Sequence, residues 1–272
     1  MANRTTDMFA ATAKQDGYVV ERTDKGIIVE YADKSRKGVT LGRIFGKAEG
    51  SVYPHDIVSD MVVGQKFKKG DAIAYNTGFF EQDVLDPSRI LMKNSMLVKT
   101  ALFESNQTHE DSSSISSRMS SKLNAKTTKV KSFMINFNQN LINAVKIGQS
   151  VGPKDILMII EDEITATNGA FDEESLNALK GLSNQAPRAS YLGVIDKIEV
   201  FYHGDKQDMS ASLKALADRS DKALSESCKS SGKPVITGEV TDDYRVGGVP
   251  LTLDKAEIKF YITISTDVGV GD

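Results

Sequence analysis

The sequence has no tryptophan, a single cysteine and three histidines, and it contains no long apolar run. Cys228 cannot form a disulfide within the chain, and one cysteine with scattered histidines lacks the paired ligands of a structural zinc site. No segment approaches the roughly 18 consecutive apolar residues that a membrane helix needs, and the first residues lack the apolar core of a signal peptide. We therefore expect a cytoplasmic protein without membrane contact.

The chain is rich enough in apolar residues to fold without such cross-links. Of its 272 residues, 40% are hydrophobic and 26% are charged, and 34 basic against 37 acidic side chains give a net charge of −3. This composition excludes a globally disordered chain. At about 100–200 residues per domain, the length predicts two domains.

Short β-branched and aromatic runs, bounded by Gly, Asn, Asp or Pro, dominate the first part of the chain. The runs 17–22 and 27–31, joined by a polar turn that contains Gly26, predict a β-hairpin. Further strands are expected at 39–45, 72–75, 96–103, 130–137, 156–160, 193–202 and 256–265. Helices are expected at 172–182 and 207–228, the second with a narrow apolar face suited to one partner helix. The pattern predicts a mainly β fold with helical additions, of the α+β class.

Two segments, 63–73 and 147–157, share the pattern aliphatic-Gly-Gln-x-apolar-x-x-x-Asp and lie 84 residues apart. In both, an apolar residue precedes a polar turn and an aliphatic run follows the Asp, which is typical of a strand-turn-strand corner in a small barrel. Two interpretations are open. Either the two segments acquired the same favourable turn residues independently, or they belong to two related small-barrel modules.

Charge is unevenly distributed along the chain. Residues 112–146 contain six basic side chains and no acidic one, whereas residues 155–175 contain seven acidic side chains and no basic one. Such runs are typical of solvated faces. The alternative is that the basic run faces phosphate and the acidic run lies away from it.

Motifs of self-contained catalysis are absent from the sequence. It has no Walker-type phosphate loop, no Gly-x-Ser-x-Gly, no His-Glu-x-x-His and no Asp-x-Asp-Gly-Asp loop that would hold a polymerase magnesium. The one compact acidic element of the stretch 96–120 is Glu110-Asp111. Paired carboxylates suit hard divalent cations, although an adjacent Glu-Asp alone is also typical of a solvated surface.

Several short motifs follow one another in order along the chain. They are Gly64-Gln65-Lys66-Phe67-Lys68-Lys69-Gly70-Asp71-Ala72-Ile73-Ala74, Asn94-Ser95-Met96-Leu97-Val98, Glu110-Asp111-Ser112 and Ser116-Ser117-Arg118-Met119. This series resembles the β subunit of multisubunit DNA-directed RNA polymerases. In that family a Val-Gly-x-x-Val-x-x-Gly-Asp-x-Leu-Ala turn leads to a Gly-x-Asn-x-x-Val-Ala-Phe strand, a Glu-Asp pair and a Ser-Glu-Arg-aliphatic segment. Later matches at 155–157, 193–201 and 257–272 extend the resemblance over about residues 16–272.

The departures from the family pattern are local. Residues 103–109 replace the aromatic and proline-rich approach to the acidic pair, and Ser265 stands where the family has a lysine that faces nucleic acid. The family's Gly-Asp-Lys lysine would follow Asp272. The chain is therefore similar to a divergent, phage-encoded β subunit, which would act in the host cytoplasm.

The resemblance implies a central fragment of β, built from a double-psi-type β-barrel and an inserted small-barrel, flap-like module. Residues 1–16 would form a flexible lead-in, residues 17–135 and 251–272 the barrel part of the polymerase core, and residues 136–250 the inserted module with its helices.

The resemblance also implies functional residues and partners. Glu110 and Asp111 would be the catalytic and metal-binding carboxylates near the second Mg²⁺ and the incoming nucleoside triphosphate (NTP), with Mg²⁺ held mainly by a partner subunit. Arg118, Lys122 and Lys126 would face nucleic-acid phosphate or else support helix packing.

The implied partners are a β-prime-like largest subunit, the remaining β fragments, the DNA template, RNA and NTP, so we expect nucleotidyltransferase activity only in the assembled complex. The alternative function is a non-enzymatic double-barrel binding module for a partner protein or nucleic acid.

Overall fold

A computed structural model describes residues 6–48, 50–87, 89–93, 98–101, 113–162 and 186–269. Strands account for 44% and helices for 13%, so the fold is mainly β, as predicted. The strands in these ranges do not form a closed barrel. Neither helix described below has the length and apolar character that a membrane crossing requires.

The chain divides into two compact units. The first unit consists of Met1–Thr127, Ser230–Gly232 and Ser265–Asp272, and the second of Thr128–Lys229 and Lys233–Ile264. Each unit has buried apolar clusters of its own. The division at 135/136 and 250/251 that the resemblance implies stays a prediction.

The described residues of the first unit form ten short strands and one short helix. In one sheet the strand order is β1-β8-β6-β5, in the second it is β4-β3-β2-β7, and β9 pairs with β10. The bounds are β1 (Ala10–Thr12), β2 (Gly17–Thr23), β3 (Gly26–Tyr31), β4 (Arg36–Thr40), β5 (Gly42–Ala48), β6 (Ser51–Val58), β7 (Lys66–Phe67), β8 (Ala72–Asn76), β9 (Phe80–Gln82), β10 (Ile90–Met92) and α1 (Ser117–Lys122).

The predicted hairpin is confirmed as β2–β3. Its apolar side chains Val19, Ile27 and Val29 are buried, as the β-branched pattern requires, and they join the main core of the first unit. The run predicted as one strand at 39–45 is instead divided between β4 and β5, because Gly42 adopts a left-handed φ of +83° at the corner. Strand β1 lies inside the segment predicted as a flexible lead-in.

In the part of the second unit that the structure describes, there are eight strands and one long helix. Its main sheet has the strand order β11-β18-β15-β13, and the pairs β12–β14 and β16–β17 are separate ladders. The bounds are β11 (Ala125–Asn136), β12 (Asn140–Ile142), β13 (Ser150–Val151), β14 (Ile159–Glu161), β15 (Gly193–His203), a 3₁₀ helix (Lys206–Asp208), α2 (Ala211–Ser230), β16 (Arg245–Val246), β17 (Val249–Pro250) and β18 (Lys255–Thr266).

Helix α2 confirms most of the helix predicted at 207–228. It starts after Ser210, whose Oγ accepts a hydrogen bond from the Leu213 amide at 3.3 Å, as an N-cap does. Its buried residues Leu213, Leu216 and Ala217 belong to the cluster formed by β15 and β18. Among the described residues the narrow apolar face packs on a sheet, and the expected partner helix stays a prediction. The helix predicted at 172–182 and half of the strand predicted at 96–103 lie outside the described residues, and the described half, 98–101, is not in a strand.

The two segments with the shared Gly-Gln pattern fold alike. Gly64 and Gly148 both adopt left-handed φ values, +82° and +87°, which accounts for glycine at this position. The following Gln side chain then closes each turn. Gln65 Oε1 accepts from the Val62 amide at 3.0 Å, and Gln149 Oε1 accepts from the Lys146 amide at the same distance.

The correspondence continues to the end of both segments. Asp71 Oδ2 accepts from the Lys68 amide at 2.8 Å, and Asp155 Oδ2 accepts from the Gly152 amide at 2.7 Å. The paired strands also agree, because β2 and β15 each begin with a glycine and carry a bulge after the third residue. The similarity between the two segments thus extends from the turn to the strand that pairs with it.

Candidate nucleic-acid interface

The residues that the sequence assigns to a site have different positions in the structure. Lys122, at the end of α1, and Lys126, at the start of β11, both line a groove of the first unit. Arg118 is exposed on α1 and lies outside the lining of this groove. Glu110 and Asp111 lie outside the described residues, so their predicted role stays a prediction.

The groove, called the lysine groove below, has a volume of about 1350 Å³. Several elements that are distant in sequence line it, including β5, β6, the end of β8, the residue after β10 and the α1–β11 connection. Its lining includes four lysines, Lys47, Lys93, Lys122 and Lys126, against two carboxylates. Because ammonium groups outnumber carboxylates, the lining attracts anions.

The four ammonium groups are exposed and differ in their partners. Lys93 Nζ donates to the Thr77 carbonyl oxygen at 2.7 Å, and its backbone amide donates to the Phe79 carbonyl oxygen at 2.9 Å. These two bonds hold the Lys93 side chain at the β8 turn. Within the described ranges, Lys47 and Lys122 have neither an ion pair nor a hydrogen bond from the ammonium group, so both can bind an external anion.

Asp56 is the carboxylate at the centre of the lining, and most of its charge is already matched. Arg43 donates to it from two nitrogens, at 2.7 Å and 2.8 Å. This bidentate contact is the main reason that the pKa of Asp56 is lowered, and the Lys126 charge lowers it further. Asp56 therefore repels an incoming anion less than an unpaired carboxylate would.

His55 forms part of the buried floor, and its hydrogen bond defines its tautomer. The Asn76 side chain donates from Nδ2 to His55 Nδ1 at 2.9 Å, while Asn76 Oδ1 accepts from the Gly78 amide at 2.9 Å. Because this amide orientation requires Nδ1 to be an acceptor, the imidazole proton lies on Nε2. Burial lowers the pKa of His55, partly offset by Asp56, so the ring is neutral at pH 7.

Aromatic rings pack on this floor and reach the opening. Phe79 contacts Phe9 edge to face, with 4.8 Å between the ring centroids, and lies 6.2 Å from the His55 ring. Phe79 is nevertheless 40% exposed and Tyr53 is 38% exposed. The groove therefore combines cations with aromatic surface, a combination typical of nucleic-acid binding.

A metal site is not apparent in the part of the chain with described coordinates. There, no group of three or more His, Cys, Asp or Glu side chains is arranged to hold a cation. The predicted Mg²⁺ ligands lie elsewhere in the sequence, and two adjacent carboxylates supply too few oxygen ligands for a complete site. They fit only a site completed by other groups.

The sequence identified half of the lysines in this groove. Lys122 and Lys126 belong to the basic run at 112–146, whereas Lys47 and Lys93 lie in segments of mixed charge. Tyr53 and Phe79 likewise lie in segments without a binding motif. No local pattern marks these four residues, because only folding brings them together.

Comparisons with known proteins identify no family. No protein-family model matches the chain, and no curated protein matches it. The polymerase resemblance therefore stays a prediction from the motifs, and the lysine groove is the structural observation that bears on function.

Proposed function

We propose that this chain is a β-like part of a multisubunit DNA-directed RNA polymerase and that its lysine groove contacts nucleic-acid phosphates. The proposed architecture has a double-psi-type barrel in the first unit, completed by partner chains, and a flap-like module in the second. The observation that carries the proposal is the convergence of Lys47, Lys93, Lys122 and Lys126 from distant parts of the chain on one groove. Such convergence is the electrostatic requirement for binding a phosphate backbone.

The motif order supports the polymerase part of this proposal. The first turn of the family series corresponds to residues 63–73, whose glycine, glutamine and aspartate all have defined structural tasks in the turn. The basic segment that follows the Glu-Asp pair contributes Lys122 and Lys126 to the groove. The segments on both sides of the acidic pair therefore belong to one compact unit.

The acidic pair would act with a partner subunit. When bound, Mg²⁺ would neutralise the charge that develops on the phosphates of the incoming nucleotide. Glu110 and Asp111 would orient it through direct contacts or through its water molecules. Because these are the only two carboxylates proposed, the isolated chain should not synthesise RNA.

The polymerase role is tested in an enzyme assembled with a β-prime-like largest subunit. Glu110→Ala with Asp111→Ala should slow elongation by about 10-fold or more, because losing the groups that position a metal-bound phosphate costs at least about 1.4 kcal/mol in the transition state. Glu173→Ala with Glu174→Ala, another adjacent acidic pair, is the matched control. Unchanged elongation in the first double variant would reject the site, and RNA synthesis by the chain alone would reject its dependence on partners.

The role of the groove is tested separately by the salt dependence of oligonucleotide binding to the full chain. If all four lysines neutralise a phosphate of a single strand, log K should fall with log salt at a slope of about −3, and each Lys→Gln change should reduce that slope by about 0.7. Lys68→Gln with Lys69→Gln, exposed in the same unit but outside the groove, is the control. If all these variants have equal slopes, the groove is not the binding surface.

A further inference from the structure

The lysine groove presents exposed aromatic rings and ammonium groups in one lining. Tyr53 on β6 and Lys47 on the paired strand β5 both belong to this lining. At the other ring, the hydrogen bonds from Lys93 to the carbonyls of Thr77 and Phe79 attach the lysine to the turn that carries Phe79. The groove thus contains one ring, Phe79, whose turn holds a lysine, and a second exposed ring, Tyr53, in the same lining as the other lysines.

We infer that the lysine groove binds single-stranded nucleic acid, with bases stacked on Tyr53 and Phe79 and phosphates bound by Lys47 and Lys93. This inference rests on the proposed phosphate-binding function of the groove and adds the form of nucleic acid that it selects. A nucleotide has a flat base and a phosphate a short distance apart. The exposed rings offer surfaces on which bases stack, and the lysines offer positive charges for phosphates.

The packing of Phe79 supports a stacking role. Its ring is held against Phe9 and lies near His55, and those contacts fix its orientation while 40% of its surface stays exposed. A ring that is already oriented loses little conformational entropy when a base stacks on it. The neutral state of His55 leaves the attraction for phosphate to the lysines around it.

A duplex cannot use these rings. Inside a double helix each base is stacked on both faces, so only an unpaired base offers a free face to a side chain. The volume of about 1350 Å³ also exceeds the roughly 300–1000 Å³ of small-molecule pockets and allows more than one nucleotide. Stacking on a ring does not read the sugar, so the inference covers single-stranded DNA and RNA alike.

The test measures the binding of fluorescein-labelled oligonucleotides to the full chain by fluorescence anisotropy. The probes are oligo(dT) and oligo(U) of roughly 12 nucleotides and a duplex of the same length. Tyr53→Ala and Phe79→Ala should each weaken single-strand binding by about 5- to 100-fold, with little change in duplex binding or in the salt slope. Tyr18→Ala is the matched control, because Tyr18 is also 38% exposed in the first unit but lies outside the groove.

Further variants separate stacking from folding. Phe79→Tyr keeps an aromatic face and should bind like the original chain, whereas Phe79→Leu keeps an apolar side chain without that face and should bind weakly. If a duplex binds as tightly as the single strands and the ring variants behave normally, the single-strand inference is overturned while the phosphate-binding groove stands. If none of the probes binds, both the inference and the phosphate-binding role of the groove are overturned.

Discussion

At the scale of single residues, the lysine groove depends on which of its ionisable groups stay uncharged. His55 is buried beside Asp56 and close to four lysines, yet the Asn76 amide occupies the nitrogen that a second proton would need. Because the pKa of His55 is lowered, the ring is neutral at pH 7 and the positive charge of the groove lies on the lysines. The same residues also explain why Gly46 is required, because a Cβ there would lie 2.7 Å from His55 Nε2.

His55 should therefore titrate below its ordinary pKa of about 6.5 and carry its neutral proton on Nε2. Asn76→Asp should raise the pKa above that value, because a carboxylate stabilises a proton on Nδ1 while still accepting from Gly78. Long-range ¹H–¹⁵N NMR of the imidazoles measures both properties. His203, whose Nδ1 donates to the Leu251 carbonyl oxygen at 3.0 Å, is an internal control that carries a proton on Nδ1.

The sign of the linked stability change follows from the lowered pKa of His55. Below pH 6.5 the unfolded chain takes up a proton more readily than the folded chain, so this histidine stabilises the fold fully above that pH and progressively less as the pH falls. His55→Gln should remove this part of the pH dependence. An Nδ1–H signal for His55, or a pKa above 6.5, would contradict the assignment.

Asp221 is the buried residue on which the second unit should depend most. Its carboxylate accepts from the Tyr202 hydroxyl at 2.9 Å and the Gly238 amide at 2.7 Å, and it pairs with Lys206 at 2.7 Å. Burial and this contact raise the pKa of Tyr202 to about 12. Asp221→Ala should lower the free energy of unfolding by about 3–5 kcal/mol in urea titrations, because it leaves the buried Tyr202 hydroxyl and Gly238 amide unpaired.

Asp218 provides the control for this variant. It pairs with the same lysine, Lys206, at 2.9 Å but is largely exposed. Asp218→Ala should therefore change stability by no more than about 0.5 kcal/mol. Equal losses in the two variants would show that the ion pairs, and not the buried carboxylate, set the effect.

At the scale of elements, the two turn segments show how a short pattern specifies backbone geometry. Gly64 and Gly148 provide a left-handed residue, and the Gln and Asp side chains that follow cap the amides left open by the turn. This chemistry is local, which is why the sequence predicted both turns and the β2–β3 hairpin.

Lys154 is a left-handed position at which the two turns have different residues. It has a left-handed φ of +74°, whereas the corresponding residue of the first turn is Gly70. Lys154→Gly should stabilise the chain by roughly 0.5–1 kcal/mol, the balance between removing left-handed strain and the greater flexibility of unfolded glycine. Urea unfolding measures the change, and Lys154→Ala, which keeps the strain, should show no gain. A loss of stability in the glycine variant would refute the account.

Strand β6 shows what local patterns miss. Its run contains Pro54, His55 and Asp56 between apolar residues, a composition that argues against a strand. The strand forms because β5 pairs with it along its whole length, with Phe45 opposite Pro54. Strand β6 contributes Tyr53 and His55 to the lysine groove. Because the strand depends on non-local pairing, local sequence patterns predict neither the strand nor this part of the site.

At the scale of the whole molecule, the site and the division into units come from long-range contacts. Charge counting predicted Lys122 and Lys126, but Lys47 and Lys93 join them only because strands from distant parts of the chain share one unit. The pattern of short β-branched runs predicted the mainly β fold class. The ends of the units depend instead on which strands complete each core.

The ends of the second unit decide whether its core is complete. The cluster of the second unit includes Ile135, Ile258, Phe260 and Ile262, which lie outside the range 136–250. Removing four such buried side chains forfeits at least about 6 kcal/mol, which is comparable to the whole stability of a domain.

A fragment of residues 128–264 should therefore give a cooperative urea transition and dispersed NMR signals, whereas a fragment of residues 136–250 should give neither. Because β11 and β18 supply those side chains, the shorter fragment lacks two strands of its own sheet. A folded 136–250 fragment would instead favour the division that the polymerase resemblance implies, since an inserted module that leaves and re-enters its host at neighbouring points must hold its core within its own limits.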